Sequence, residues 1–213
     1  MKKIILFCVL IITFANVEAQ VNITASMGVN YFSMPSLKDY VNINYAGGTN
    51  LISSFSSSVS FLGEIDAPYS DNFEYGFEYA YELYSYNTPS LSGGQYSITL
   101  NQHKLSLLGY YVIKGKGYEF KFGGGGGLRF LSVDEEIYNS QNYKSTGYGF
   151  LLRACGLTSL GGDLYANIGV EMRYDLPGEP SNGQNKIFDG ILNKNVNFNS
   201  FSVGLKIGIT YFL

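Results

Sequence analysis

Residues 164–176 read LYANIGVEMRYDL and alternate between two kinds of side chain. The even-numbered positions are apolar, from Leu164 through Ile168 and Val170 to Leu176. The odd-numbered positions are polar or small and include Glu171 and Arg173. A period of two predicts a β-strand with one apolar and one polar face. Because a soluble core does not accept unpaired charges, the apolar face is expected to point outward, toward lipid.

Seven other stretches repeat this alternation. They cover residues 21–32, 57–66, 73–85, 96–113, 118–130, 146–158 and 201–213. The stretch 96–113 changes parity between Leu100 and Leu105, which a β-bulge near 101–104 would reconcile. Strands can span lipid only as a closed barrel, because every backbone polar group must be bonded internally. The sequence therefore predicts an all-β fold, an eight-stranded antiparallel up-and-down transmembrane β-barrel that is apolar outside and polar and charged in its lumen.

The connections between these stretches alternate in length. Residues 67–72, 114–117 and 159–163 form short connections, whereas 33–56, 86–95, 131–145 and 177–199 form long ones. Short turns at one end and long loops at the other are characteristic of outer-membrane barrels. In the first long loop, Ser36 and Asp39 follow Pro35 with the spacing of a capping box, which predicts a short helix near 36–44.

The N-terminus has the features of a secretory signal. Lys2 and Lys3 precede an apolar run over residues 4–14, and Val17 and Ala19 are the small residues of a cleavage site. The apolar run is too short to span a bilayer as a helix. We therefore expect a cleaved signal peptide over 1–19 and a single barrel domain over 20–213.

The last stretch has apolar side chains at every second position back from the C-terminus. These are Leu205, Ile207, Ile209, Tyr211 and Leu213. This pattern resembles the C-terminal signature of outer-membrane β-barrels that the barrel-assembly machinery reads. With the signal and the eight stretches, the chain resembles small outer-membrane β-barrel proteins, such as the OmpA-type transmembrane domain and barrel proteins of Bacteroidetes-like bacteria. The resemblance implies a bacterial outer membrane as location, with lipid bilayer and barrel-assembly machinery as partners, and it carries no catalytic motif.

The polar faces carry charges that this register places inside the barrel. They are Glu64, Glu74, Glu78, Glu82, Glu119 and Glu171, with Lys121, Arg129, Arg153, Arg173 and Lys206. An eight-stranded barrel is only wide enough for its own side chains. Leaving any of these charges without a partner would be costly, so we expect them to pair across the lumen and plug it. A narrow gated ion pathway is the alternative.

The rest of the sequence gives no reason to expect a catalytic residue, a metal site or a cofactor. Gly123–Gly127 precedes no helix that could complete a phosphate site, and it is expected to relieve crowding in a curved strand. His103 and Ser106 miss by one residue the His-x-Ser pair of some outer-membrane lipid hydrolases, so His103 is expected to be a polar residue near the outer rim. A net charge of −3 gives no electrostatic reason to expect a nucleic-acid partner.

These observations favour a non-enzymatic protein that is structural or binds partners through its outer loops. Three alternatives stay open at this point. They are a small pore or a transporter of hydrophobic solutes, an outer-membrane lipid-modifying enzyme, and a soluble secreted barrel.

Overall fold

Eight long strands and one helix make up most of the computed structural model, which describes residues 21–46, 51–54, 56–89, 94–137, 139–183 and 185–213. The first seven strands are β1 (Asn22–Ser33), β2 (Ser56–Ser70), β3 (Phe73–Pro89), β4 (Gln95–Gly115), β5 (Tyr118–Glu136), β6 (Ser140–Gly161) and β7 (Leu164–Leu176). Helix α1 (Pro35–Asn44) follows β1. After β7 come the short strands β8 (Ser181–Asn182), β9 (Asn185–Lys186), β10 (Phe188–Asp189) and β11 (Lys194–Asn195), and then the eighth long strand, β12 (Ser200–Phe212). The predicted signal peptide lies outside the described residues.

The eight long strands close into a ring. Each pairs antiparallel with its neighbour in sequence, and β12 closes the ring on β1 over a register from Asn22 opposite Phe212 to Ser33 opposite Phe201. Closure leaves the barrel without a free sheet edge, as a structure surrounded by hydrocarbon requires. The predicted eight-stranded up-and-down barrel is confirmed. In the described part of the chain, no helix is long and apolar enough to cross a membrane.

The two faces of the barrel wall are inverted relative to a soluble protein. On the outside, Ile168 and Leu205 expose 62% and 66% of their surface. On the inside, Glu78 and Arg173 expose 0% and 2%. The apolar-out, charged-in orientation predicted from periodicity is therefore correct, and it suits a barrel whose outer wall contacts acyl chains.

The two ends of the barrel differ. At one end, tight turns at residues 71–72, 116–117 and 162–163 join the strands, and Gly117 and Gly162 adopt positive φ angles of 81° and 57°, which glycine tolerates best. At the other end, β5 and β6 extend well past their predicted limits, so most of the expected loop over 131–145 is a hairpin. The extension arises because Leu131 and Val133 are buried inside the wall, where they continue the alternation.

Strand β4 contains no bulge. Its register with β3 runs unshifted from Phe73 opposite Tyr111 to Pro89 opposite Gln95, so the prediction of a bulge near 101–104 is wrong. Ile98 and Leu100, which a bulge would have turned outward, face the lumen. Apolar residues are accommodated there because the lumen itself becomes apolar toward the long-loop end.

The apolar end of the lumen is covered by a folded cap, which we define as α1 together with residues 177–183 and 185–199. Leu37 and Val41 of α1 and Phe198 of the last loop are buried in one apolar cluster with Ile98 and Val133 of the wall. The predicted helix is confirmed as α1. The predicted capping box is wrong, because Met34 is the N-cap and makes no side-chain capping bond.

The residue expected to cap α1 has another role. The Ser36 hydroxyl accepts a hydrogen bond from the backbone N–H of Asn197 at 3.2 Å. This contact joins the helix to the last loop, so Ser36 holds the cap together instead of starting the helix.

Candidate functional site: the lumen and its outer cap

The centre of the lumen is organised around two arginines. Arg153, on β6, is hydrogen-bonded to Glu64 of β2 and Glu78 of β3, and its Nη2 lies 2.6 Å from Glu171 Oε2 of β7. Arg173 Nη2 lies 2.8 Å from Glu78 Oε1, and its Nε lies 2.7 Å from Glu171 Oε1. Both arginines therefore share Glu78 and Glu171. Such bidentate, charge-assisted bonds are the strongest polar contacts available to these groups.

Two further ion-pair clusters lie on either side of this central one. Toward the cap, Lys104 Nζ lies 2.5 Å from Glu82 and 2.7 Å from Asp175, and Asp175 also accepts from Arg129. Toward the short turns, Lys121 Nζ lies 3.0 Å from Asp66 and 2.6 Å from Glu74. The ion pairs thus form three layers along the barrel axis.

All eleven charged residues predicted to face inward are buried in the barrel. The expectation that every one of them is paired is wrong for Glu119 and Lys206, since neither lies within 4 Å of an opposite charge in the described ranges. Lys121, beside Glu119, is already held by Asp66 and Glu74, and the two central arginines occupy the carboxylates nearest Lys206.

Sequence reasoning missed several members of these clusters. Lys104 was hidden by the apparent change of parity in β4, although even-numbered positions of that strand face inward throughout. Asp66 and Asp175 lie on the polar stripes of their strands, and following each stripe to its last residue would have included both.

A separate polar cluster lies under the cap, around Glu135 near the end of β5. Tyr40 of α1 and Tyr96 of β4 donate hydrogen bonds to Glu135 Oε1 at 2.8 and 3.0 Å. The Tyr45 hydroxyl is 3.0 Å from that of Tyr40, and the rings of Tyr45 and Tyr96 stack with centroids 4.0 Å apart. Glu135 lies five residues beyond Phe130, the last exposed apolar residue of β5, so this cluster is outside the apolar band of the wall.

Burial controls the ionisation of this cluster. It raises the pKa of Glu135 above its ordinary value, and the hydrogen bonds from Tyr40 and Tyr96 oppose the rise without cancelling it. Burial also raises the pKa values of Tyr40, Tyr45 and Tyr96, so these phenols stay protonated and act as donors. Glu135 is therefore the acidic group of the cluster, and its pKa is raised above its ordinary value of 4.5.

We expect Glu135 to hold the cap more firmly in acid than at neutral pH, a contribution opposite in sign to those of Glu179 and Asp189, whose pKa values are lowered. A carboxyl whose pKa is raised by folding contributes stability that is complete below its ordinary value, 4.5, and is lost as the pH rises through the raised value. Hydrogen exchange of α1 amides, corrected for intrinsic rates, should therefore show more protection at about pH 4 than at about pH 8. Glu135→Gln should remove the gain in acid and leave only the opposite dependence of Glu179 and Asp189, and Glu136→Gln should keep the gain. An unchanged pH dependence in Glu135→Gln would contradict the assignment.

His103 lies on the outside of the barrel. Its Nδ1 is 2.7 Å from the Tyr79 hydroxyl, and its ring centroid is 4.9 Å from that of Tyr81. Ser106 is buried inside the wall, so the two residues of the imperfect His-x-Ser spacing are on opposite faces. Among the residues that the structure describes, no group of three or more His, Cys, Asp or Glu side chains could hold a metal ion.

The five residues of the C-terminal signature are exposed on the outer wall. Leu205, Ile207, Ile209, Tyr211 and Leu213 all point away from the lumen. Their recognition by the barrel-assembly machinery stays a prediction.

The fold is that of known bacterial barrels. The sequence matches no protein-family model, and no curated protein matches it. The structure is similar to Neisserial surface protein A, with a TM-score of 0.55 and 9% identity over 91% of this chain and 97% of that one. It is also similar to Ail, the attachment invasion locus protein of Yersinia pestis, in complex with the heparin analogue sucrose octasulfate, with a TM-score of 0.53 and 6% identity over 92% of this chain and 100% of that one. The chain therefore has the fold of small bacterial outer-membrane β-barrel proteins.

Proposed function

We propose that this protein is a non-enzymatic outer-membrane barrel whose lumen is closed to ions and whose folded cap is a binding surface. The observation that carries the proposal is the central cluster, in which two arginines bridge carboxylates from three other positions around the wall. The proposal includes export by the cleaved signal over 1–19 and insertion through the C-terminal signature.

Closure of the lumen is supported by the way the ion pairs cross it. Arg153 joins β6 to β2, β3 and β7, so the side chains span the interior from several directions. An ion passing through would have to separate buried charges from their partners, which costs several kcal/mol per charge. This arrangement favours a plugged scaffold over the small pore.

Surface binding is supported by the construction of the cap. Exposed loops on a rigid scaffold are the usual place for recognition, and here α1 and the last loop are packed against the barrel wall through a shared apolar cluster. The cap and the strand ends around it hold these charged residues: Asp39, Asp134, Glu135, Glu136, Glu179 and Asp189, with Lys38, Lys144, Lys186 and Lys194. This acidic excess does not favour a polyanion such as the sulfated sugar held by the Yersinia protein. The separation of His103 from Ser106 supports a role without catalysis.

Planar-bilayer recording tests closure. We expect the purified protein to insert without a steady conductance above that of empty detergent, because the ion pairs occupy the lumen. Steady, voltage-independent current would overturn the proposal in favour of a pore.

Cell fractionation and gel electrophoresis test the location. The protein should be found in the outer-membrane fraction and run at two mobilities, with and without boiling, because a closed barrel resists detergent unless heated. Recovery in the aqueous fraction with a single mobility would favour a soluble barrel.

A further inference from the structure

A cavity lies beside Glu135 at the outer end of the barrel. Its volume is about 510 Å³, and it lies between α1, the hairpin of β5 and β6, and the last loop. This volume is within the range of sites that hold small molecules. Its lining includes Tyr40, Glu135, Gln141, Tyr143, Lys186 and Phe188.

Glu135 is a buried carboxylate without a cation. It exposes 5% of its surface, and no lysine or arginine nitrogen lies within 4 Å of it in the described part of the chain. Two tyrosine hydroxyls orient one of its oxygens but supply no positive charge. This is unlike the carboxylates of the three lumen layers, each of which contacts Lys or Arg.

The one basic residue that lines the cavity is already engaged. Lys186 Nζ lies 2.7 Å from Glu179 Oε2, which also accepts from the Asn195 side-chain amide at 3.0 Å. Lys186 is therefore held at the rim by another carboxylate, and Glu135 keeps an unbalanced charge whenever it is ionised.

We propose that this cavity binds a small organic cation that carries an alkylammonium group, with Glu135 as its counter-ion and Tyr40, Tyr143 and Phe188 as its aromatic lining. Aromatic side chains attract cations, and an alkyl stem gains from the apolar surface they provide. A bound anion would meet Glu135, and a neutral ligand would leave its charge unbalanced. The inference rests on the proposed function, since it names a ligand class for the same cap.

Isothermal titration calorimetry tests the inference on the full mature protein in maltoside micelles, whose head groups are uncharged. The probes are cadaverine, Nα-acetyl-lysine amide and its neutral counterpart Nα-acetyl-norleucine amide. We expect saturable binding of at least one cationic probe and none of the neutral probe. Cadaverine binding alone points to a free amine as the natural ligand, and lysine-derivative binding alone points to a peptide side chain.

Two variants locate the binding to Glu135. Glu135→Gln keeps an oxygen for the two tyrosine hydroxyls but removes the charge, so affinity should fall about tenfold or more. Glu136→Gln makes the same charge change on the exposed face of β5 and should leave affinity within about twofold. The two-mobility gel shows that each variant is folded.

Two outcomes would overturn the inference. One is that neither cationic probe binds the unchanged protein. The other is that a cationic probe binds folded Glu135→Gln with the same affinity as the unchanged protein. Neither outcome bears on the closure of the lumen or on the outer-membrane location, which the conductance and fractionation experiments test separately.

Discussion

Replacing Arg153 by methionine is expected to destabilise the barrel by about 3–5 kcal/mol. Arg153 contacts Glu64, Glu78 and Glu171, and its removal leaves three buried carboxylates with less positive charge than they require. Methionine replaces the aliphatic stem of arginine without supplying a donor, so the loss is mainly electrostatic. Because the chain contains no tryptophan, urea unfolding in phospholipid vesicles would be followed by circular dichroism and by the unboiled gel band.

Lys206→Met is the matched control for this prediction. Lys206 is also a buried cation of the lumen, but no carboxylate lies within 4 Å of it among the described residues. Its replacement should therefore cost much less than that of Arg153, since a buried charge without a close partner contributes little to offset its own desolvation. Equal losses in the two variants would show that the ion-pair geometry of the central cluster does not determine stability.

Gly125→Ala is expected to destabilise the wall by roughly 1–3 kcal/mol, or to prevent assembly. A Cβ at Gly125 would lie 1.9 Å from the carbonyl oxygen of Leu107 on β4, and that oxygen is backbone and cannot turn away. Gly127 meets Leu105 in the same way at 2.0 Å. The glycine run therefore permits a close approach of β5 to β4, in agreement with the crowding inferred from sequence.

Gly109→Ala is the control for the glycine prediction. Gly109 lies on β4 opposite Gly124, and a Cβ there meets nothing within 4 Å. Alanine at this position should be neutral or stabilise by up to about 1 kcal/mol, because glycine is the more flexible residue in the unfolded chain. The unfolding assay described for Arg153 measures both variants, and a similar loss at Gly109 would contradict a steric origin.

Part of the candidate site could be predicted from the sequence, because the alternation of apolar and polar residues is a local property of each strand. In β7, Ile168 and Glu171 are assigned to opposite faces by parity alone, whatever the rest of the barrel does. The same interpretation failed at Ile98 of β4, because Ile98 is an apolar residue that faces the lumen and packs there against the cap. Lys104 was lost with it, and so was the outer ion-pair layer that it forms with Glu82 and Asp175.

The amino-acid sequence by itself determined that the chain alternates along eight strands and that its charged stripe must turn away from lipid. Tertiary structure alone decided which charges meet, because Arg153 and Glu64 are 89 residues apart and only barrel closure brings them together. It also decided that Glu135 lies beneath α1 beside a cavity. Neither result is visible in a period-two pattern, because that pattern specifies the face on which a side chain lies and not its partner across the lumen.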